Sequence, residues 1–433
     1  MRKPLSRISV TGAFLSTFPS PSAGSAMLAF DYRTWQQQRV VVNERAMMVA
    51  TKPGVFAHVH DDPAAQMLAS AMVDLEGQVV VSLSCGNGLV GLAATRAGAA
   101  HVWMTDRHLL AIDASTRTLA TALGKAQTPE AEASPPPVTV LLGHGAAPLP
   151  AGLVADLVVI RAVPERIPMH QLFYDARRLL KPGGRCLFAG GNHEGAKSAA
   201  RALERMFGNV KLLAQHSAHR MVSAVRTDTL PEIPDDLASP YLDAATFHEV
   251  PVTLGGHAFT LSSRPGVFSW EHLDEASEVL AGLLDIVPGQ RVLDIGCGSG
   301  ALGVAAAFAS GTGDVCLVDE DHEALRCAMR TVQQAGVSNA RVLASDVASA
   351  VIDERFDVVV ANPPFHLGKE TNLDIPRQFI RDAHTVLNVR GRMLIVANRT
   401  LPYEAVVREV FGSVNTRHDG RRFKVLSAVR RAD

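Results

Sequence analysis

The sequence predicts an α/β chain made of two tandem copies of one fold, each a doubly wound, mostly parallel sheet, the first copy degenerate. Two observations carry this. The first is an internal repeat. Pro53, Gly54, Val55 and Phe56 recur as Pro265, Gly266, Val267 and Phe268, an offset of 212, and Gly77 and Gln78 recur as Gly289 and Gln290. At the same offset Cys85, Gly86, Gly88, Gly91, Ala93 and Ala94 recur as Cys297, Gly298, Gly300, Gly303, Ala305 and Ala306. Further on, Phe207, Gly208, Val210 and Ser223 to Arg226 match Phe411, Gly412, Val414 and Ser427 to Arg430 at an offset of 204. Loop length explains the drift, and QTPEAEASPPP at 127–137 reads as a loop in the first copy. The second observation is that apolar runs of strand length alternate with helical patterns, the signature of a βαβ succession.

The elements are clearest in the second copy. VPVTLGGHAFTL reads as a hairpin around Gly255 and Gly256. Residues 291–295, 314–318, 341–344, 356–361 and 392–397 are short and rich in Val, Leu and Ile, as buried strands are. Helices are predicted at 301–310, 321–335 and 374–388, and 421–429 adds a closing strand. The expected division is a disordered extension at 1–30, a first copy at 31–227, a linker at 228–240 (DTLPEIPDDLASP) and a second copy at 241–433.

Composition narrows the class. With 42 basic and 43 acidic residues in 433 and 47% hydrophobic content, the chain is neither disordered nor uniformly basic. Five cysteines without a CxxC pair point to no disulfide framework and no zinc knuckle, and a reducing cytoplasm is expected. MRKPLSR followed by ISVTGAFLSTF superficially resembles a secretory signal, but polar and glycine residues break the apolar part. A Ser/Pro-rich extension is favoured, with Met27 as an alternative start. No stretch approaches the roughly 18 apolar residues of a membrane helix.

The chemistry is expected at the carboxyl ends of the second copy's strands, where such sheets bind ligands. VLDIGCGSGALG at 292–303 is a strand, a glycine turn and a helix start. Gly296, Gly298 and Gly300 let the backbone bend and a nucleotide-like ligand approach, although a GxGxG by itself is also an ordinary tight turn. Its spacing is not the GxGxxG of a dinucleotide site. Asp294 is placed to reach a bound cation, and Asp319, ending the second strand, to accept both ribose hydroxyls. Ser345 and Asp346, after the third, offer an acceptor for an adenine amine. The fourth strand delivers Asn362, Pro363, Pro364 and Phe365, the most specific motif in the chain. The prolines freeze the turn and leave carbonyls exposed, the Asn362 oxygen and a proline carbonyl can accept both hydrogens of one planar amine, and Phe365 offers a face for a base.

On these residues the chain resembles the class I S-adenosylmethionine-dependent methyltransferases, whose domains are Rossmann-like. DIGCGSG resembles their cofactor motif, and NPPF the (N/D)PP(Y/F) motif of enzymes acting on amines conjugated to a planar system. PGVFS at 265, ANRTLPYE at 397–404 and RRFKV at 421–425 look like the guanine-N2 methyltransferases of ribosomal RNA, both type C, acting on the small subunit, and type G, acting on the large one. Those enzymes are also tandem duplications with an inactive first copy. The resemblance implies S-adenosylmethionine as cofactor, bound by Asp294, Gly296, Cys297, Gly298, Gly300, Asp319, Glu320, Asp346 and Asn362, with Asn362, Pro363, Pro364 and Phe365 catalytic. It implies in-line displacement, the guanine amine attacking the sulfonium methyl, on ribosomal RNA or a ribosomal subunit. A monomer without metal or membrane attachment is expected. Adenine-N6 or protein glutamine-N5 methylation is the alternative within enzymes, and a non-catalytic RNA-binding or assembly factor the alternative outside them.

The first copy departs from the motifs. Ser82 and Ser84 stand for Asp294 and Gly296, and Arg161 and Ala162 for Asn362 and Pro363, while Asp106 keeps the ribose position. Residues 1–228 carry 23 basic and 16 acidic groups and 229–433 carry 19 and 27, so an RNA grip is expected in the first copy. Within it Arg177, Arg178 and Lys181 read equally well as a solvated helix face. His58, His60, Asp61 and Asp62 have metal-ligand types, but align with a helix start in the second copy, and the structural reading is favoured.

Overall fold

The computed structural model describes residues 31–58, 60–124, 138–364 and 374–432. The expected extension, the 127–137 loop and Phe365 lie outside them. The first copy opens with an antiparallel hairpin, β1 (Gln36–Val42) and β2 (Arg45–Thr51), followed by α1 (Pro63–Ser70). Strands β3 (Val79–Leu83), β4 (His101–Asp106), β5 (Val138–Leu142), β6 (Ala155–Arg161), β7 (Leu180–Gly191), β8 (Lys211–His216) and β9 (His219–Val225) form one sheet. Helices α2 (Leu89–Arg96), α3 (Leu109–Leu123), α4 (Arg166–Leu179) and α5 (Ala196–Phe207) connect them. Strand order is β5-β4-β3-β6-β7-β9-β8, parallel up to β7 and antiparallel beyond it.

The second copy repeats this plan. Its hairpin is β10 (His248–Leu254) and β11 (His257–Ser263), and α6 (Glu275–Ala281) follows. Strands β12 (Val292–Ile295), β13 (Val315–Asp319), β14 (Ala340–Ala344), β15 (Phe356–Ala361), β16 (Leu387–Asn398), β17 (Asn415–Asp419) and β18 (Phe423–Val429) take the order β14-β13-β12-β15-β16-β18-β17. Helices are α7 (Ala301–Ser310), α8 (His322–Ala335), α9 (Asp374–Val386) and α10 (Tyr403–Phe411). Alternation along β12 divides the core: Leu293 and Ile295 join α9 and α10 on one face, whereas Val292 joins the hairpin and α7 on the other. Side chains at these strand positions are fully buried, each contributing about 1.5–3 kcal/mol of hydrophobic stabilisation.

The two copies meet about a local pseudo-two-fold axis. The Leu109 N–H donates to the Glu320 carbonyl at 2.9 Å and the His322 N–H to the Arg107 carbonyl at 2.8 Å, two bonds that exchange under the repeat. His108 and Asp321, themselves equivalent, form the bridge between them. This is the isologous geometry of a symmetric dimer inside one chain. Ion pairs reinforce it: Arg107 with Asp321, Lys52 with Asp346, Arg33 with Asp382. Tyr32, 4% exposed, inserts into the second copy's core beside Ile375 and Phe379. Leu230, Ile233 and Leu237, within the segment read as a linker, pack onto the first copy's core.

Candidate active site at the strand ends of the second copy

The glycine turn after β12 forms because three residues take positive φ: Gly296 at 74°, Gly298 at 55° and Gly300 at 89°. A Cβ on Gly296 would also meet the Phe379 ring at 3.2 Å. The turn is tied to β13, since the Gly296 and Cys297 N–H groups donate to the Val318 carbonyl at 2.8 and 3.0 Å. The Cys297 carbonyl accepts from Gly300 N–H at 2.8 Å and its side chain is buried, with burial raising the thiol pKa well above the usual range. Its backbone N–H and carbonyl are bonded within the turn and to β13, so Cys297 shapes the turn.

Two carboxylates flank the turn. Asp294 is fully buried, and among the described residues neither of its oxygens has a partner at hydrogen-bond geometry, the Gly303 N–H being the nearby group that favours its ionised form. Burial pushes its pKa up to about 7, a rise that the nearby Gly303 N–H partly opposes and the charge of Asp319 augments. Asp319 accepts the Gly298 N–H at one oxygen and the Asp321 N–H at the other, both at 2.9 Å. Its pKa is likewise pushed to about 7, first by burial and then by Asp321. An orphaned buried carboxylate beside an oriented one fits a cation with a neighbouring diol, so these residues fit the cofactor expected from the sequence.

Asn362 follows β15. Its amide nitrogen donates to Asp274 Oδ2 at 2.9 Å and to Ser277 Oγ at 3.0 Å, leaving its Oδ1 buried without a partner among the described residues. Asp274 is the N-cap of α6 and also accepts the Ser277 N–H at 2.8 Å. The cap therefore orients the amide, so that its only free function is an acceptor. Pro363 is buried and Pro364 exposed.

Two expected residues have other partners. Asp346 accepts from the Tyr32 hydroxyl at 2.8 Å and pairs with Lys52, so both oxygens already hold the first copy and an adenine amine would have to share them. Glu320 accepts from His108 at 2.8 Å while its other oxygen is buried and without a partner among the described residues. Asp274, Ser277, Tyr32, Lys52 and His108 were missed from sequence. A signal existed for two of them: Asp62 repeats Asp274 and Lys52 repeats Arg264, each at the offset of 212.

The first copy keeps the frame and loses the ligand groups. Ser84 holds φ at 72°, preserving the turn without glycine, and donates to the Arg161 carbonyl at 2.8 Å. Asp106 accepts from Gly86 and His108 N–H groups at 3.0 Å each, as Asp319 does in its copy. Arg161 pairs with Asp62 at 3.1 Å and with Glu194, its guanidinium 3.9 Å from the centre of the Phe56 ring. Asp62 caps α1, in line with the structural reading of that segment. Of the basic residues singled out, Arg177 binds the Met206 and Pro231 carbonyls and Lys181 pairs with Asp156, leaving Arg178 exposed without an acidic partner among the described residues.

The family model of the methyltransferase small domain matches residues 46–134 and 258–427, once in each copy and over more than half the chain. A ribosomal RNA small subunit methyltransferase C from Shewanella pealeana is 31% identical over 295 residues, 68% of this chain and 82% of that protein. Proteins of the same description from Hahella chejuensis (40% over 172 residues) and Escherichia coli (41% over 170) match 40% and 39% of this chain and 49% of their own length. Among solved structures, a T. thermophilus 16S rRNA N2 methyltransferase in complex with AdoMet and guanosine superposes with a TM-score of 0.76 at 24% identity, covering 92% of this chain and 98% of that one.

Proposed function

The chain belongs to the methyltransferase small domain family, and from that membership we propose that it methylates the exocyclic N2 amine of a guanine in ribosomal RNA with S-adenosylmethionine. The observation that carries the reading is Asn362, an amide locked by Asp274 and Ser277 with its oxygen buried and free. When bound, the cofactor supplies an electrophilic methyl on a cationic sulfonium. Asp294 offers charge to a cation, Asp319 accepts ribose hydroxyls, and the glycine turn admits both. A guanine amine is a poor nucleophile because its lone pair is delocalised into the ring. Asn362 Oδ1 and the Pro363 carbonyl accept its two hydrogens and favour a pyramidal nitrogen with its lone pair aimed at the methyl. Phe365 adds a face for the extruded base, a role that rests on the sequence.

The first copy is the RNA grip in this reading, through exposed bases such as Arg178, Lys197 and Arg201. The chain acts as a cytoplasmic monomer, because the duplication already provides the two-fold partner. Among the described residues no helix is long and apolar enough to cross a membrane. Nucleoside mass spectrometry of ribosomal RNA from a deletion strain tests the reading. Loss of one N2-methylguanosine, restored by purified protein, is expected. An intact inventory would overturn it, and a lost N6-methyladenosine would move the chain to the adenine class.

A further inference from the structure

We propose that Phe268 is a stacking platform for the target guanine, an inference that rests on the function above and adds a residue to its site. The argument comes from the degenerate copy. Arg161 stands at the position of Asn362, is held by Asp62, the counterpart of Asp274, and lays its planar guanidinium against Phe56 at 3.9 Å. A planar group bearing N–H donors thus occupies, in the first copy, the space beside the amine-binding position of the second. Phe56 recurs as Phe268, with the turn conserved in shape: Gly54 has φ 95° and Gly266 has φ 93°.

Among the described residues Phe268 has no such cover. It is 64% exposed, and Phe56 is 56% exposed even with Arg161 laid against its ring, while Val267 is buried and anchors the turn. The repeat relates the Phe268 ring to Asn362 as Phe56 is related to Arg161, and an exposed phenyl ring gains from a partner that is planar, apolar on its faces and edged with N–H donors, which describes a purine amine and not an aliphatic chain. The ring also lines an open cleft of about 360 Å³ between the copies, to which the first copy contributes Glu165 and Arg166, the latter a cation able to meet a flanking phosphate.

The test compares Phe268→Leu and Phe268→Tyr in the full chain, acting on ribosomal RNA from the deletion strain, with cofactor affinity measured in parallel by calorimetry. For Phe268→Leu, kcat/KM should fall about 5- to 150-fold with cofactor Kd unchanged, the range for loss of one base–aromatic stack. Phe268→Tyr should recover most of it. Wild-type kcat/KM in Phe268→Leu overturns the inference alone, as does a loss traced entirely to weaker cofactor binding. A wild-type chain that forms no N2-methylguanosine overturns the functional reading and this inference together.

Discussion

Arg161 in the first copy and Asn362 in the second stand at the end of the same strand, each held by the capping aspartate of the helix after the hairpin. In the second copy the cap turns an amide so that a buried oxygen is left without a partner among the described residues. In the first it neutralises a cation that fills the space itself. The same contrast appears one strand away, where Asp294 is buried with orphaned oxygens and Ser82 replaces it with a small neutral group. At Asp294 and Asn362 the second copy retains buried oxygens without partners among the described residues, which cost stability, whereas the corresponding positions of the first copy hold a neutral serine and a paired arginine. A fold freed from ligand binding relaxes toward internal satisfaction, and the frame of turn glycines and Asp106 outlasts the groups that did the chemistry.

That contrast can be broken in four ways. The largest effect is expected from Asn362→Ala, which should lower kcat about 10²- to 10³-fold while calorimetry still finds one cofactor per chain; two cofactors, or normal turnover, would erase the distinction between copies. Next, Arg161→Met removes the charge between Asp62 and Glu194, and urea unfolding should show about 3 kcal/mol lost with methyl transfer retained. Should activity fall instead, the first copy is not a relaxed scaffold.

Third comes pH. Burial raises the Asp294 and Asp319 pKa values to about 7. A carboxyl whose folded pKa is raised favours the folded state most when protonated, so the ligand-free chain loses stability as pH rises from about 4 through about 7. Cation binding needs the opposite, ionised form. Cofactor affinity should therefore weaken below pH 7, by up to about tenfold per pH unit for each carboxyl that must ionise. A flat profile between pH 5.5 and 8 would remove Asp294 from the cation site. The smallest effect is expected from Lys197→Glu with Arg201→Glu on α5: RNA affinity should fall several-fold and the slope of log K against log salt should drop by about one for each phosphate no longer neutralised. An unchanged slope would place the grip elsewhere.

Much of the site was legible because it is local. A strand, a glycine turn and a helix are set by consecutive residues, so the turn of Gly296, Gly298 and Gly300 and the strand-end positions of Asp294, Asp319 and Asn362 could be placed from spacing. Charge was legible only in part. The excess of basic groups in the first copy suggested RNA, yet Arg33, Lys52 and Arg107 pair with Asp382, Asp346 and Asp321 across the junction. Composition counts charges without showing which face solvent. Asp346 illustrates the same limit, since its position at the strand end follows from sequence and its two partners do not.

Two copies of one fold, the family, and the loss from the first copy of the residues standing at Asp294 and Asn362 were all readable along the chain. The repeat offset and strand-end motifs carry that information along the chain. Only the packing of the whole chain shows that the copies face each other about a pseudo-two-fold axis, that Asp274 and Ser277 aim the Asn362 amide, and that the Arg161 guanidinium lies against the Phe56 ring. These pairings join residues about 80 to 215 positions apart. They depend on where packed sheets bring strand ends together, and no local pattern encodes that.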